Sequence, residues 1–165
     1  MNIIWHGHSC FEITGKDGTI VFDPYQANSV PGLNSLKLKA NLVLCSHEHD
    51  DHNARNCVEV APKDFKVTCI ETYHDHHQGS HRGKNTIHIV DFEDLKVVHM
   101  GDIGCMMDDV SKLKNCDVLM IPIGGYYTID TKEALKYIER IQPRIVIPMH
   151  YRSHEFGYDV LSTNE

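Results

Sequence analysis

Histidines and carboxylates crowd into one short stretch of the chain, His47 to His52. Three histidines and three acidic residues fill its six positions. Neutral imidazoles and carboxylates at this density suit a divalent metal such as zinc, iron or manganese. A solvated, charged loop is the alternative, but the apolar run 42–45 just before the stretch is typical of a buried strand. The sequence therefore predicts a metal-binding motif delivered by a strand.

The spacing of the motif indicates two neighbouring points of coordination. In an extended segment, side chains two positions apart point to the same side, so His47 and His49 are predicted to face one point. A turn would then direct Asp51 and His52 to a second point close by. The pattern predicts room for a pair of ions.

Further candidate ligands follow strand-like apolar runs later in the chain. They are His74, Asp102 and His150. Rigid strands commonly present functional side chains from the loops at their carboxyl ends. Each candidate also has a simpler role, since a polar loop, a helix N-terminus or a strand end can hold such a residue without a metal. The loop of His74 contains three rivals: His76, His77 and His81.

The hydrophobic pattern is rich in strands at first and alternates strand and helix in the second half. Strands are predicted at 3–5, 10–14, 19–22, 42–45, 65–72, 86–90, 95–100, 118–122 and 144–148. Helices are predicted at 55–61, at 108–113 and from Asp130 or Thr131 to Pro143. The last helix should bury a stripe made of Ala134, Leu135, Ile138 and Ile141. Loops are predicted at 25–37 and 74–84.

Composition limits the classes of protein that the chain can represent. With 165 residues, 41% hydrophobic and 24% charged, one globular domain over residues 1–165 is predicted. The net charge of −7 and the dispersed lysines argue against a nucleic-acid partner. A small anionic substrate stays open, because bound metal would offset negative charge locally.

The chain is predicted to be cytoplasmic and to have no membrane partner. It has no apolar run near the roughly 20 residues of a membrane helix, and its first residues lack the pattern of a signal peptide. Its six cysteines are scattered, which predicts free thiols. Whether it forms a homo-oligomer is left open.

With these residues in place, the chain resembles the metallo-β-lactamase superfamily. Five motifs of that family occur in order: Asp23 after an apolar strand, His47-x-His49-x-Asp51-His52, His74, Asp102 in Gly-Asp-x-Gly, and His150. Three further segments are similar to the branch that contains L-ascorbate-6-phosphate lactonase and related hydrolases. They are Trp5-His6-Gly7-His8-Ser9, Phe22-Asp23-Pro24 and Arg82-Gly83-x-Asn85. The resemblance covers residues 2–152.

The resemblance implies an α+β fold, the αββα sandwich of two facing mixed sheets with outer helices. It also implies two divalent metal ions, zinc first, with manganese or iron as alternatives. One ion would be held by His47, His49 and His74, and the other by Asp51, His52 and His150, with Asp102 bridging them. Asp23 would brace the histidine loop from behind.

The activity implied is that of a metal-dependent hydrolase, in which a hydroxide shared by the two ions attacks an ester or lactone of a small molecule. Asp51 would orient the hydroxide, and Asp102 would join the two ions. Arg82 and Asn85 would hold an anionic or polar part of the substrate, although Arg82 could instead form a structural ion pair. A phosphodiesterase, a non-catalytic metal-binding or sensing module and a partner-binding scaffold are the alternatives.

Two intervals are shorter than is usual in the family. Only residues 53–73 separate His52 from His74, and 15 residues follow His150. The missing segments are predicted to open the site or to remove part of its substrate-binding wall.

Overall fold

Two facing β-sheets form the centre of the molecule in this computed structural model, which describes residues 1–163. The first sheet begins with an antiparallel meander of β1 (Asn2–Gly7), β2 (Cys10–Gly15) and β3 (Gly18–Phe22). A separate two-stranded parallel sheet pairs β4 (Leu38–Ala40) with β6 (Val58–Val60), and β5 (Leu42–Leu44) extends the first sheet beside β3.

The second sheet has five strands, in the spatial order β11-β10-β9-β8-β7. Their bounds are β7 Lys66–Tyr73, β8 Lys84–Phe92, β9 Leu95–His99, β10 Val118–Pro122 and β11 Ile145–Met149. The strands from β7 to β9 are antiparallel neighbours, whereas β9, β10 and β11 run parallel. The connection from β10 to β11 runs through the helix α1 (Thr131–Ile141).

Alternating side chains of the strands divide the hydrophobic core into layers. Between the sheets, Phe11, Phe22 and Phe92 are fully buried. On the outer face of the second sheet, Ile87 and Val98 pack with α1. Burying both faces of this sheet requires a layer on each side. The α+β sandwich expected from the family resemblance is confirmed.

The outer face of the first sheet is covered without a helix in the part of the chain that the structure describes. Its buried cluster joins Val21 to Tyr25 and Val30 of the predicted loop 25–37, and to Ala40 and Val58 of the small sheet. The helical layer is therefore present on one side of the sandwich, and a loop with two short strands replaces it on the other.

Two of the predicted helices are wrong. Residues 55–61 form a 3₁₀ turn, Arg55–Cys57, followed by β6, because Val58 and Val60 are β-branched and pair with β4. Residues 108–113 contain only a 3₁₀ turn, Ser111–Leu113. Strand β11 also begins one residue later and ends one residue later than predicted.

The third predicted helix is confirmed, with one change to its buried face. Asp130 is the N-cap and forms a capping box with Glu133, whose backbone N–H donates to Asp130 Oδ1 at 2.9 Å. Leu135 is 54% exposed, whereas Tyr137 is fully buried. The hydroxyl of Tyr137 donates to the Cys105 carbonyl and accepts from the Met107 amide, so the ring is buried with its polar atom paired.

Two other findings bear on the predictions from composition. All six cysteines are free, as predicted. No helix within residues 1–163 is long and apolar enough to cross a membrane.

Candidate metal centre

The candidate site lies at one edge of the sandwich, and the strand directions explain why. Strands β1, β3 and β5 run in one direction within the first sheet, and β7, β9 and β11 do so within the second. Each of these six strands is followed by at least one chemically active side chain, in chain order His8, Asp23, His47, His74, Asp102 and His150. The carboxyl ends of parallel strands meet at one edge of a sheet, so residues far apart in sequence converge here.

One group of candidate ligands contains His47, His49 and His74. Their nearest ligand atoms all lie within 4.8 Å of one another. The segment that carries His47 and His49 consists of bends and turns and is not extended as predicted, yet the two rings are 4.5 Å apart between centroids. His74 Nδ1 donates to the Tyr127 carbonyl at 3.0 Å, which leaves its Nε2 with a free lone pair.

A second group contains Asp51, His52 and His150, with His8 beside them. Their ligand atoms also lie within 4.8 Å of one another. From the sequence, His8 could reach the mouth of the site or occupy a strand edge without a ligand role, and the second role is favoured. It is fully buried, and its Nε2 lies 3.2 Å from Asp51 Oδ2.

Asp102 connects the two groups. Its Oδ2 lies 3.1 Å from His52 Nε2, 2.9 Å from His150 Nε2 and 3.3 Å from His74 Nε2. Burial alone would raise the pKa of this carboxyl, but His150 and His52 hold it well below its usual range. The structure thus brings together all seven residues that the resemblance nominates as ligands, with Asp102 between the two groups.

Glycines on both sides of Asp102 allow this close approach. A Cβ on Gly101, which has a φ of +56°, would lie 2.4 Å from the Ser46 Cβ, and one on Gly104 would lie 2.4 Å from the His74 backbone. The Gly-Asp-x-Gly pattern is therefore a packing requirement of the site.

The residues fit a divalent metal by their own chemistry. Asp102 Oδ1 and His47 Nε2 are buried, with no hydrogen-bond partner among the described residues. A buried polar atom without a partner costs free energy, and a cation bound by these lone pairs would remove that cost. Burial lowers the pKa of His47 to about 3 and also lowers the pKa of His74, so both imidazoles are neutral, as metal ligands must be.

Asp23 lies behind the candidate ligands, as the resemblance implies. Its Oδ2 accepts hydrogen bonds from His52 Nδ1 at 2.8 Å and from Ser46 Oγ at 2.6 Å, and its Oδ1 accepts from the Ser46 amide at 2.7 Å. Burial alone would raise the pKa of Asp23, but His99 and His52 hold it below its usual value. Opposing the effect of burial, Asp102 and Asp23 raise the pKa of His52. Because Nδ1 is bonded to Asp23, Nε2 is the nitrogen that would lose its proton and bind a metal.

Asn85 does not lie where the predicted substrate-binding role would require. It is fully buried beneath Asp102, whose amide donates to Asn85 Oδ1 at 2.8 Å. Its own amide group donates to Thr72 Oγ1 and to the Met100 carbonyl. With all its polar atoms committed, Asn85 has nothing to offer a substrate, and its geometry is that of a support for the Asp102 loop.

Arg82, in contrast, borders the open side of the site. Its guanidinium lies 5.4 Å from the Tyr127 ring centroid and 5.9 Å from that of Tyr126. None of the ion pairs within residues 1–163 involves Arg82, so the structural ion pair considered as its alternative role is not seen there.

A cavity of about 260 Å³ opens onto both groups of candidate ligands. It is lined by His49, Asp51, His74, Arg82, Asp102, Tyr127, His150 and Tyr158. Sequence reasoning missed Tyr158, whose hydroxyl contacts Asp51, 107 positions away along the chain. No local pattern signals such a contact.

Asp75 is a second residue that sequence reasoning missed. Its carboxylate accepts four backbone N–H bonds, from His77, Gly79, His81 and Arg82, at 2.7–3.1 Å. Opposing the effect of burial, these bonds hold the pKa of Asp75 below its usual range. The polar loop 74–83 is therefore built around one side chain and sets the position of Arg82.

Fold and site together define a class: metal-dependent hydrolases with the metallo-β-lactamase fold. A family model for the beta-lactamase superfamily domain matches residues 2–150, and the chain belongs to this family. Among solved structures, a Thermotoga maritima protein assigned to the Zn-dependent hydrolases of the superfamily is 27% identical, with a TM-score of 0.74 over 98% of this chain and 80% of its own. A metallo hydrolase from Ignicoccus hospitalis, at 19% identity and a TM-score of 0.68, shares the fold over 98% of this chain and 85% of its own.

Sequence relatives agree with that assignment. A UPF0173 metal-dependent hydrolase from Staphylothermus marinus is 30% identical over 89% of this chain and 82% of its own length. Another, from Thermoplasma acidophilum, is 28% identical over 94% of this chain and 85% of its own length. That second alignment runs over 193 positions, so the relative carries residues that this chain of 165 lacks. The protein is a metal-dependent hydrolase.

Proposed function

We propose that the protein is a dinuclear metal hydrolase that cleaves an ester or lactone in a small, anionic molecule. The observation that carries the proposal is the position of Asp102, whose Oδ2 lies 2.9–3.3 Å from histidines of both ligand groups. One ion would be bound by His47, His49 and His74, and the other by Asp51, His52 and His150. Zinc is proposed first, because imidazole and carboxylate ligands without thiolates suit it, and the same set admits manganese or iron.

Ions held in this way would lower the pKa of a water from about 15.7 towards neutrality and would polarise the bond to be hydrolysed. The chain itself contributes orientation and proton transfer. The carboxylate of Asp51 borders the cavity and would orient the attacking water and accept its proton. Asp23 and the Tyr127 carbonyl bind Nδ1 of His52 and of His74, which orients both rings with Nε2 towards the proposed ions.

The cavity supports a small substrate with an anionic or strongly polar group. Its volume of about 260 Å³ lies near the lower end of the range for small-molecule sites. Arg82 borders it and has no carboxylate partner within the described residues, so its guanidinium can pair with a substrate carboxylate or phosphate. The rings of Tyr126 and Tyr127 hold the guanidinium from the side.

The test is turnover by the metal-loaded protein on a panel of lactones, carboxylic esters, thioesters and phosphodiesters. The proposal expects hydrolysis of a lactone or ester, abolished by His52→Ala. Arg82→Gln should raise KM for anionic members of the panel more than for neutral ones, because it removes a charge at the cavity. Preferred cleavage of phosphodiesters would contradict the ester or lactone specificity and favour the phosphodiesterase alternative. Bound metal without turnover on any substrate would favour the non-catalytic module.

A further inference from the structure

His8 occupies a turn that ties together two segments of the candidate site. Its φ of +52° is in the left-handed region, as is that of His150 at +51°. The His150 amide donates to the His8 carbonyl at 3.2 Å, and the indole N–H of Trp5 donates to the same carbonyl at 3.1 Å. Residues with side chains keep such a conformation only where the surroundings enforce it, most often at functional sites.

The side chain of His8 is aimed at Asp51. It is fully buried, with Nε2 3.2 Å from Asp51 Oδ2 and its ring centroid 4.1 Å from that of His150. The other ring nitrogen, Nδ1, is buried and has no partner among the described residues. An imidazole that donates from Nε2 to a carboxylate carries its lone pair on Nδ1, which matches this arrangement.

Tyr158 competes for the same carboxylate oxygen, but it has only one proton to give. Its hydroxyl lies 2.7 Å from the Ser29 carbonyl and 3.2 Å from Asp51 Oδ2. Both partners can only accept, and the hydroxyl proton is assigned to the Ser29 carbonyl because that contact is shorter by 0.5 Å. His52 Nε2 is 3.6 Å from Asp51 Oδ2, which is beyond hydrogen-bond distance. Within residues 1–163, His8 Nε2 and the Tyr158 hydroxyl both lie 3.2 Å from that oxygen, but only the hydroxyl has a shorter contact to another acceptor, so His8 is the donor assigned to Asp51 Oδ2.

We infer that His8 is a positioning residue, which fixes the rotation of Asp51 through the Nε2–H···Oδ2 bond and thereby organises the ion site formed with His52 and His150. This inference rests on the proposed dinuclear centre. A partner that orients a ligand from behind changes metal affinity by about 10–100-fold. The effect is confined to one of the two ion sites, because His8 is not among the group formed by His47, His49 and His74.

The test compares two amide variants of His8. In His8→Gln, an amide N–H lies about as far from the backbone as Nε2 does, whereas in His8→Asn it is one bond short of reaching Asp51. Asparagine, however, adopts a positive φ more readily than glutamine. His8→Gln is therefore expected to bind metal more tightly than His8→Asn, whereas His8→Asn is expected to have the more stable fold. His88→Gln makes the same change at a buried histidine on β8 that belongs to no candidate ligand group.

The dissociation constants of both ions are measured by competition with a chromophoric chelator, and thermal unfolding is followed on the same samples. We expect His8→Asn to weaken one ion about 10–100-fold and to spare the other, while His8→Gln and His88→Gln stay near wild type. Equal weakening in His8→Gln and His8→Asn, or no weakening in either, would overturn the inference. Failure of the wild-type protein to bind two ions would instead count against the dinuclear centre itself, so the two failures are distinguishable.

Discussion

In the proposed dinuclear centre, both ion positions depend on Asp102, whose Oδ2 lies close to His52, His74 and His150. In that proposal, each of the other ligands serves one position only. Substitution of Asp102 should therefore affect the binding of both ions, whereas substitution of any other ligand should affect one.

Asp102→Ala is expected to abolish tight binding of both ions, and His74→Ala that of one. Isothermal titration of the metal-free protein with zinc should show no tight equivalents for the first variant and one for the second. Removing a ligand costs more than removing its support, so losses above about 100-fold are expected. Retention of one tight ion by Asp102→Ala would show that this carboxylate does not bridge.

Asp23 links the stability of the fold to the order of the site. Asp23→Ala would leave the Ser46 amide and His52 Nδ1 buried without an acceptor. The free energy of unfolding should fall by at least about 2 kcal/mol, because each unpaired buried group costs about 1–3 kcal/mol. Urea unfolding of the metal-free protein measures this, and Asp64→Ala, at an exposed position between β6 and β7, provides a control for the loss of a carboxylate. A change below about 0.5 kcal/mol, the usual range for a surface substitution, would contradict the role given to Asp23.

The loop 74–83 shows how one side chain can organise a whole element. Asp75→Ala removes the acceptor of four backbone N–H groups. Hydrogen exchange should accelerate at the amides of His77, Gly79, His81 and Arg82, while the strands stay protected. Asp109→Ala, which removes a similar acceptor from the turn at Ser111, serves as the matched control and should leave this loop unchanged. Unaltered exchange in Asp75→Ala would mean that the loop is held by other contacts.

The buried face of helix α1 differs from the predicted apolar stripe, and this difference can be tested. Ile141→Ala should lower the free energy of unfolding by about 2–5 kcal/mol, because the side chain is fully buried in the core. Leu135→Ala should cost less than about 1 kcal/mol, since that side chain is 54% exposed. Chemical denaturation of the two variants checks the order, and similar losses would show that the observed helix face is not the buried one.

Strand periodicity and strand-end placement carry much of the sequence-based account. The hairpin at Lys16 to Gly18 and the pair β8–β9 follow from local turn signals, so they were predictable. The 3₁₀ turn and strand at 55–60 were not, because β6 forms only through pairing with β4. Helical propensity is judged over a short window of sequence and contains no information about a partner strand some twenty positions earlier.

The site residues, like the secondary-structure elements, were predictable where the signal was local and were missed where it depended on distant contacts. The residues of the His-x-His-x-Asp-His motif can be recognised in the sequence by their type and spacing. His8 and Tyr158 do not, because their contacts with Asp51 span 43 and 107 positions. Asn85 was assigned to substrate by resemblance, yet its burial beneath Asp102 is a property of the folded chain alone.

The molecule as a whole combines a complete set of candidate ligands with a short chain. Its relatives align over more positions than it possesses, and a helix covers only one side of the described sandwich. Stability in such a molecule is expected to depend on the metal, because seven side chains from both sheets converge on one centre.

Removal of metal should therefore lower the unfolding temperature. A ligand that binds only the folded state stabilises it by about 2.7 kcal/mol at a concentration of 100 times its dissociation constant. Calorimetry of the protein before and after dialysis against a chelator, with zinc added back, should show a reversible shift. An unchanged unfolding temperature after complete loss of metal would contradict this coupling.

The most direct test of the dinuclear centre is a count of ions per chain. The protein would be purified without a histidine tag or added metal and measured by elemental analysis, with reconstitution if the content is low. About two equivalents of zinc, manganese or iron are predicted from the two ligand groups that share Asp102. One equivalent at saturation would contradict the shared site, and none after reconstitution would contradict the catalytic account altogether.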